Sequence, residues 1–377
     1  MRVILTGGGT GGHVNPALSI AETIRKYEPD SEIIFVGTSR GIENKLVPKK
    51  GYELRHIDIR GIRRSLSLAN IRAFWLAATS PYKAKKLIGE FKPDIVIGTG
   101  GYVCWPVVKA ASMMGVPCVL HESNAIAGVA VKMLQDKVDR IYLNFDATGK
   151  TLRCPEKLLR VGNPLSGDFA RLTREEAREK LQIDPKYQKI ILSYGGSMGA
   201  EKVNEAILKM MKSYTSKHPE VLHIHATGSI EKDIAKAEFK KLGLSKYENL
   251  QLVEYIYDMP LKMAAADLII CRAGALTISE LASAGKCSIF IPSPNVTENH
   301  QYKNAKVLAD AGAAFVFEES ELANSTSVLI DAVAGLLSEE GDNERKLMSE
   351  RIKEFAVPDS NDLIYNDIKK LIAERRN

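Results

Sequence analysis

Three glycine-rich turns hold the residues best suited to chemistry: Gly7 to His13, Gly98 to Gly101 and Gly195 to Gly199. The first, Gly7-Gly-Gly-Thr-Gly-Gly-His13, follows the apolar run Val3 to Leu5 and precedes a helix-like stretch from Pro16 to Arg25. A turn between a strand and a helix start offers backbone amides and the positive end of a helix dipole, so it suits an anion such as a phosphate. Gly7, Gly9 and Gly12 also satisfy G-x-G-x-x-G, which brings a dinucleotide site into consideration. An NAD site wants Asp or Glu at the end of the second strand, about 20 residues on. This chain has Gly37-Thr-Ser-Arg40 there, and Arg40 keeps an NADP oxidoreductase open. His13 points elsewhere, because an imidazole beside a phosphate or sugar site suits proton transfer better than hydride transfer. One glycine turn after a strand is ordinary turn chemistry; three at equivalent places favour ligand binding.

The strands and helices around these turns recur in two series. Strand-like runs at Val3–Thr6, Glu32–Val36, Ile95–Ile97, Pro117–His121 and Arg140–Leu143 alternate with helix-length segments. A second series runs through Ile190–Tyr194, Val221–His225, Leu250–Val253, Leu268–Cys271, Cys287–Ile291 and Ala314–Phe317. Alternating strands and helices predict α/β domains, each a doubly wound parallel sheet, with ligands outside the carboxyl ends of the strands. The turn-rich Val161 to Gly167 and a helix beginning near Thr173 put the domain junction near residue 164, with a cleft expected between the halves.

A length of 377 residues fits two domains. The 45% hydrophobic and 26% charged fractions, without low-complexity tracts, are those of a soluble globular protein. There is no apolar stretch of about 18 residues and no cationic leader before the first strand, so the chain is expected to stay in the cytosol. Cys104, Cys118, Cys154, Cys271 and Cys287 are odd in number and lack a C-x-x-C pair, which predicts free thiols. Residues 1–164 carry 24 Lys and Arg against 14 Asp and Glu, while the remainder carries 28 against 32. A basic half can meet nucleic acid or an anionic membrane, or be solvated helix surface. Only 7% aromatics and no recognition motif speak against nucleic acid.

Seven motifs in order then carry a specific resemblance. They are Gly8-Gly-Thr-Gly-Gly-His13, Gly98-Thr-Gly-Gly-Tyr102, His121-Glu-Ser-Asn124 with Ala127-Gly128, and Val161-Gly-Asn-Pro164, followed by Gly195-Gly-Ser-Met-Gly-Ala200, Cys271 to Glu280 and His300-Gln-Tyr-Lys-Asn304. The chain resembles the MurG family of peptidoglycan N-acetylglucosaminyltransferases, which convert lipid I to lipid II. The resemblance implies a GT-B glycosyltransferase fold of two Rossmann-like domains facing a central cleft. An N-terminal acceptor- and membrane-binding domain would span 1–164 and a C-terminal UDP-sugar domain 165–377, with the last helix expected to pack back on the N-terminal domain.

The resemblance also implies site roles. In the C-terminal half, Ile256 would meet the uracil through its backbone and Glu280 the ribose hydroxyls. Ser197, Arg272 and the Ala275-Leu276-Thr277 turn would hold the diphosphate of UDP-N-acetylglucosamine, and Gln301 the sugar. From the other half Thr10, Gly11, Gly12 and Asn124 would reach the donor. Gly8, Gly9, Gly100, Gly101 and Tyr102 would receive the lipid-linked acceptor. The reaction the resemblance implies would be an inverting displacement in which a general base takes the proton of the acceptor C4 hydroxyl, with His13 the first candidate and Glu122 the second. The blander readings are a phosphate- or cap-bonding His13, a buried structural Glu122, a turn-capping Asn124, a helix-surface Glu280, an ion-paired Arg272 and an exposed amide at Gln301.

No metal or other cofactor is expected at the diphosphate, since no D-x-D pair lies near a sugar motif and Arg272 with turn amides can neutralise the leaving group; a loosely bound Mg2+ stays open. Between Ile62 and Lys92, Arg64, Arg72, Lys83 and Lys86 alternate with Ile71, Phe74 and Trp75. Basic residues beside aromatics fit an element lying on anionic lipid, which predicts a peripheral protein on the cytoplasmic face of the membrane, alongside possible division or cell-wall partners. The alternative is that Ile71 and Trp75 form the core stripe of a helix. Two departures from the family stand out: Leu165-Ser166 replaces an arginine after Pro164, with Ser166 or Arg171 as substitutes in donor contacts, and bulky Cys104-Trp105 replaces small residues. Rival readings are a GT-B transferase with another nucleotide sugar or glycolipid acceptor, and a non-catalytic nucleotide-sugar-binding scaffold.

Overall fold

Aliphatic runs without polar alternation, such as Val3–Leu5 and Ile33–Val36 in the first half and Leu268–Ile270 in the second, are what strands covered on both faces require. The computed structural model describes residues 1–59, 68–165 and 169–376, with side chains except at 68–78 and 376. The chain divides into two units, Met1–Ser166 with Val357–Asn377, and Gly167–Ala356.

In the first unit β1 (Arg2–Gly7), β2 (Glu32–Gly37), β3 (Glu53–His56), β4 (Ile95–Gly100), β5 (Cys118–Glu122), β6 (Arg140–Leu143) and β7 (Leu158–Arg160) form a parallel sheet. Its order is β3-β2-β1-β4-β5-β6-β7. The second unit repeats the plan with β8 (Lys189–Tyr194), β9 (Val221–Ala226), β10 (Leu250–Val253), β11 (Leu268–Cys271), β12 (Ser288–Phe290) and β13 (Ala314–Val316), in the order β10-β9-β8-β11-β12-β13. Each sheet therefore changes direction beside its first strand, between β1 and β4 and between β8 and β11. Loops leaving a strand pair at such a switch point diverge and leave room for a ligand.

Alternate residues of the first sheet serve opposite faces. Ile4, Ile34, Val96, Leu120 and Ile141 join one core with Val107, Val108 and Ala111 of the helix Cys104–Met113. Val3, Leu5, Phe35, Ile97 and Tyr142 join the other, against the helix Gly11–Tyr27 and the C-terminal helix Ser360–Arg376. That last helix packs on the first unit through Ile364, Ile368, Leu371 and Ile372, each more than nine-tenths buried. Burying such side chains stabilises by about 1.5–3 kcal/mol apiece. The Tyr142 hydroxyl donates to Asp367 at 2.7 Å, and Tyr27 stacks on Tyr365.

Two strands lie outside the sequence expectation, β3 and β7, both at sheet edges. Their sequences, Glu-Leu-Arg-His and Leu-Leu-Arg, lack the apolar run because an edge strand faces water along one side and is commonly charged. The first helix also starts five residues before Pro16. Gly11 to His13 form its opening turn with Thr10 as the extended N-cap residue, so His13 is a helical residue and not part of the preceding loop.

Candidate functional site

Pairing at the first switch point sets the geometry of the site. Gly7 lies opposite Gly100 across a register shift at the ends of β1 and β4, so the turns leaving these strands pack on one another. A Cβ at Gly101 (φ +79°) would stand 2.4 Å from the Gly8 carbonyl oxygen, and one at Gly100 (φ +108°) 2.6 Å from the His13 ring. Only glycine permits that approach. The Thr99 hydroxyl donates to the His13 carbonyl at 2.7 Å and ties β4 to the helix start. Tyr102 is half exposed beside Gly9.

His13 is oriented from behind. Its Nδ1 lies 3.1 Å from the Gly8 carbonyl, an acceptor only, so Nδ1 carries the proton and Nε2, against Gly100, keeps its lone pair. The Thr10 hydroxyl oxygen, 3.3 Å from Nδ1, can accept from the same hydrogen. Burial lowers the His13 pKa below the ordinary histidine value despite opposing contributions from the Gly8 carbonyl and Glu43. A neutral imidazole with a free Nε2 is what a general base needs.

The acid sought at the end of the second strand lies six residues past Gly37, where sequence spacing did not look. Glu43 is fully buried, and its carboxylate accepts from the Gly9 amide at 3.0 Å, the Thr38 amide at 3.0 Å and the Thr38 hydroxyl at 2.9 Å. Burial alone would raise its pKa, but these hydrogen bonds hold it below the usual carboxylate value. A fully buried carboxylate engaged by its own turns is closed to a dinucleotide ribose.

The other first-unit candidates lie around β5. Glu122 is buried with both oxygens engaged, Oε1 by the amide and side chain of Asn124 at 3.0 and 3.1 Å, Oε2 by the Gly128 amide at 2.7 Å. This geometry makes Glu122 a clamp that fixes Asn124 rather than a base held ready. Burial pushes His121 down to about 4, and its Nε2 donates to the Gly162 carbonyl at 2.9 Å. Cys104 is buried against Gly98 and Trp105 packs at the rim of the same core, so the interior absorbs both departures in bulk. Ser166 lies outside the described residues, and Arg171 is exposed.

The second switch point repeats the arrangement. Tyr194 pairs with Cys271, so Gly195 and Arg272 leave neighbouring strands side by side. Gly199 (φ +93°) and Gly228 (φ +81°) lie in backbone contact, where a Cβ on Gly228 would stand 2.0 Å from the Gly199 nitrogen. The Ser229 and Ile230 amides donate to the carbonyls of Ser197 and Met198. Ser197 is exposed before the helix Glu201–Ser213, and Ala275, Leu276 and Thr277 open the helix Ala275–Ala284 after Gly274. Two helix N-termini thus flank one switch point, a suitable place for a diphosphate.

Arg272 is not an idle surface cation. Its guanidinium bonds the Glu319 carboxylate and donates to the Ile291 carbonyl at 2.9 Å, with both charged side chains 14% exposed. Glu319 escaped the sequence reading because it follows Arg272 by 47 residues, at the start of the helix Glu319–Asn324. Glu280 is a partly buried carboxyl whose pKa is pushed up to about 7 by desolvation, and among the described residues it accepts no hydrogen bond. Gln301 accepts from the Ser293 amide at 2.9 Å, which leaves its NH2 group to donate. Ile256 is buried between exposed Tyr255 and Tyr257.

Beneath the Gly195 turn lies a buried polar network that the sequence did not announce. Ser193 Oγ bonds His223 Nε2 at 2.8 Å and His225 Nδ1 at 2.9 Å, and His225 Nε2 meets Asn204 Oδ1 at 3.0 Å. Burial pushes His225 from 6.5 down to about 4 and His223 well below its ordinary value. Because the folded pKa is depressed, stability is complete above pH 6.5 and is lost as pH falls toward 4, by about 3 kcal/mol for His225 alone. Urea unfolding at pH 7 and pH 4.5 is expected to show this loss, and His225→Gln to shrink the pH difference. An equal difference in variant and wild type would refute it.

Among the described residues no group of three or more His, Cys, Asp or Glu is placed to hold a metal, and no helix is long and apolar enough to cross a membrane. Lys83 and Lys86 are exposed on the helix Leu68–Phe91, Lys83 pairing with Asp58 at 3.2 Å, while Ala84, Ile88 and Phe91 of that helix enter the core. Arg64 and the side chains of Ile71, Arg72, Phe74 and Trp75 lie outside the described residues.

Known proteins share this architecture. Residues 3–143 match the glycosyltransferase family 28 N-terminal domain and residues 190–363 its C-terminal domain. A protein of Acetivibrio thermocellus named UDP-N-acetylglucosamine--N-acetylmuramyl-(pentapeptide) pyrophosphoryl-undecaprenol N-acetylglucosamine transferase is 41% identical over 375 residues, covering 100% of this chain and 99% of the relative. One of the same name from Alkaliphilus oremlandii is 37% identical over 100% of both chains. The crystal structure of Acinetobacter baumannii MurG superposes with a TM-score of 0.76 at 28% identity, covering 98% of this chain and 99% of the other.

Proposed function

The chain belongs to the MurG family within glycosyltransferase family 28, and from that premise we propose that it transfers N-acetylglucosamine from UDP-N-acetylglucosamine to the C4 hydroxyl of lipid I, giving lipid II for peptidoglycan. The observation that carries the reading is Glu280, a desolvated carboxyl that accepts no hydrogen bond among the described residues, on a helix that opens with Arg272 just before it. A vicinal diol next to a diphosphate supplies what that site lacks.

In this reading the second unit holds the donor. Glu280 accepts from the ribose hydroxyls, the backbone at Ile256 meets the uracil, and Gln301 donates to the sugar. Arg272, Ser197 and the Ala275-Leu276-Thr277 amides meet the diphosphate, whose charge grows as the glycosidic bond breaks. The first unit holds the acceptor at the Gly8–Gly9 and Gly100–Tyr102 turns, and Asn124, held by Glu122, reaches the donor sugar with Thr10 to Gly12. His13 Nε2 takes the C4 hydroxyl proton as the oxygen attacks the anomeric carbon with inversion. Arginine and turn amides neutralise the departing UDP in this scheme, without a resident metal. The exposed Lys83 and Lys86, with the basic and aromatic segment before them, would dock the protein peripherally on anionic lipid at the cytoplasmic face.

The test is transfer of label from radioactive UDP-N-acetylglucosamine into extracted lipid with a lipid I analogue as acceptor. Label in the lipid supports the reading. Donor binding without transfer would overturn the lipid I assignment and point to another glycolipid acceptor or a scaffold.

A further inference from the structure

The Gly8–Gly9 peptide group is engaged at both ends. Its N–H, on Gly9, donates to Glu43 Oε2 at 3.0 Å, and its C=O, on Gly8, accepts from His13 Nδ1 at 3.1 Å. Carboxylate, peptide and imidazole therefore form one chain of charge-assisted and polarised hydrogen bonds. The cradle is built for it: a Cβ on Gly8 would lie 2.8 Å from Glu43 Oε1, one on Gly37 2.7 Å from Glu43 Cγ, and one on Gly41 1.9 Å from Glu43 Oε2. Three glycines from two turns make room for one carboxylate.

We propose that Glu43 is a positioning residue for His13, acting through the Gly8–Gly9 peptide as a buried carboxylate acts on a catalytic histidine by direct contact. The carboxylate fixes the orientation of the peptide, and the peptide fixes the imidazole with hydrogen on Nδ1 and the lone pair on Nε2. A negative charge at the far end polarises the carbonyl and stabilises the imidazolium that forms when Nε2 takes a proton. No proton leaves Nδ1, and Glu43 stays ionised throughout. Glu43 is also the charged group that raises the basicity of His13 against burial. The proposal rests on the reading of His13 as base only for its kinetic consequence; the coupling itself concerns the free protein.

Two measurements test it on the full chain. In the first, nitrogen NMR of histidine-labelled protein, with His13 assigned by His13→Gln, follows the ring through pH without substrate. Glu43→Gln is expected to lower the His13 midpoint by about half to one pH unit, whereas Thr38→Val, which removes only the hydroxyl bond to Oε1, should leave it in place. In the second, Glu43→Gln is expected to lower kcat about ten- to a hundredfold, part of what a positioned general base contributes, with the KM for UDP-N-acetylglucosamine unchanged and the acid limb of the rate profile moved the same way. Thermal unfolding of both variants reports any common loss of stability. An unmoved His13 midpoint, or one moved equally by Thr38→Val, would overturn the coupling even if transfer is observed. A shifted midpoint in a protein that transfers nothing would leave the coupling standing and remove the transferase reading.

Discussion

His13→Ala is expected to lower kcat for transfer by about 10²–10⁴-fold, the usual contribution of a positioned general base, while UDP still binds. The expectation follows from orientation and protonation together. With Nδ1 bonded to a carbonyl and Nε2 left with its lone pair, the ring can take a proton and do little else. Its lowered pKa keeps it neutral at working pH, so activity should rise through a value below 6.5 and then level off. His13→Gln keeps the side chain polar and of similar reach without the basicity, and should fall as far as alanine. Steady-state rates of the two variants, with UDP affinity measured by calorimetry, check this. A glutamine variant retaining near-normal kcat would mean that His13 only caps or bonds a phosphate.

The second large effect belongs to Glu280. Charged hydrogen bonds contribute about 1.5–3 kcal/mol each, so losing the carboxylate that accepts from both hydroxyls of a ribose diol should weaken UDP binding by about 10²–10⁴-fold. The pH dependence is more specific. Desolvation holds the free carboxyl up to about 7, and two hydroxyl donors need its ionised form, so bound ligand pulls the pKa down. Affinity should therefore be complete above pH 7 and fall as pH drops, approaching tenfold per unit until the bound-state pKa is reached. Calorimetric titration of UDP across this range, with Glu280→Gln and with a 2′-deoxyribose analogue, is the check. The variant should be weak and nearly flat with pH, and the analogue should lose little further on it. A pH-independent wild-type affinity would remove Glu280 from the ribose.

Much of this was legible in the chain itself. Most interior strands of the two sheets are apolar runs because parallel strands are covered on both faces, β9 with its buried His223 and His225 being an exception, and the glycine turns stand at strand ends because backbone approaches backbone there. The charged, three- and four-residue edge strands β7 and β3 carry no such run, and the helix start at Gly11 was hidden by glycines that read as a loop. For the site, residue type and context named His13, whereas Glu280, Arg272 and Gln301 were named only by the motifs that carry the family resemblance; their chemistry, a carboxylate for a diol, a guanidinium for a diphosphate and an amide for a sugar, agrees with those roles.

The doubled α/β plan, the three turns and the family could be read from residue order alone, because strand burial and turn chemistry are local and leave periodic marks. Which groups are engaged and which are waiting became visible only in the folded chain. Glu122 and Glu280 are both glutamates in the strand-end motifs, yet one is saturated by amides and the other accepts no hydrogen bond among the described residues. Glu43 and Glu319 gain their meaning from partners 34 and 47 residues away, brought together by the pairing of β1 with β2 and by the pairing of β11 with β12 and β12 with β13. Hydrogen-bond satisfaction and burial depend on strand register and on the packing of distant turns, and neither is written in the spacing of residues along the chain.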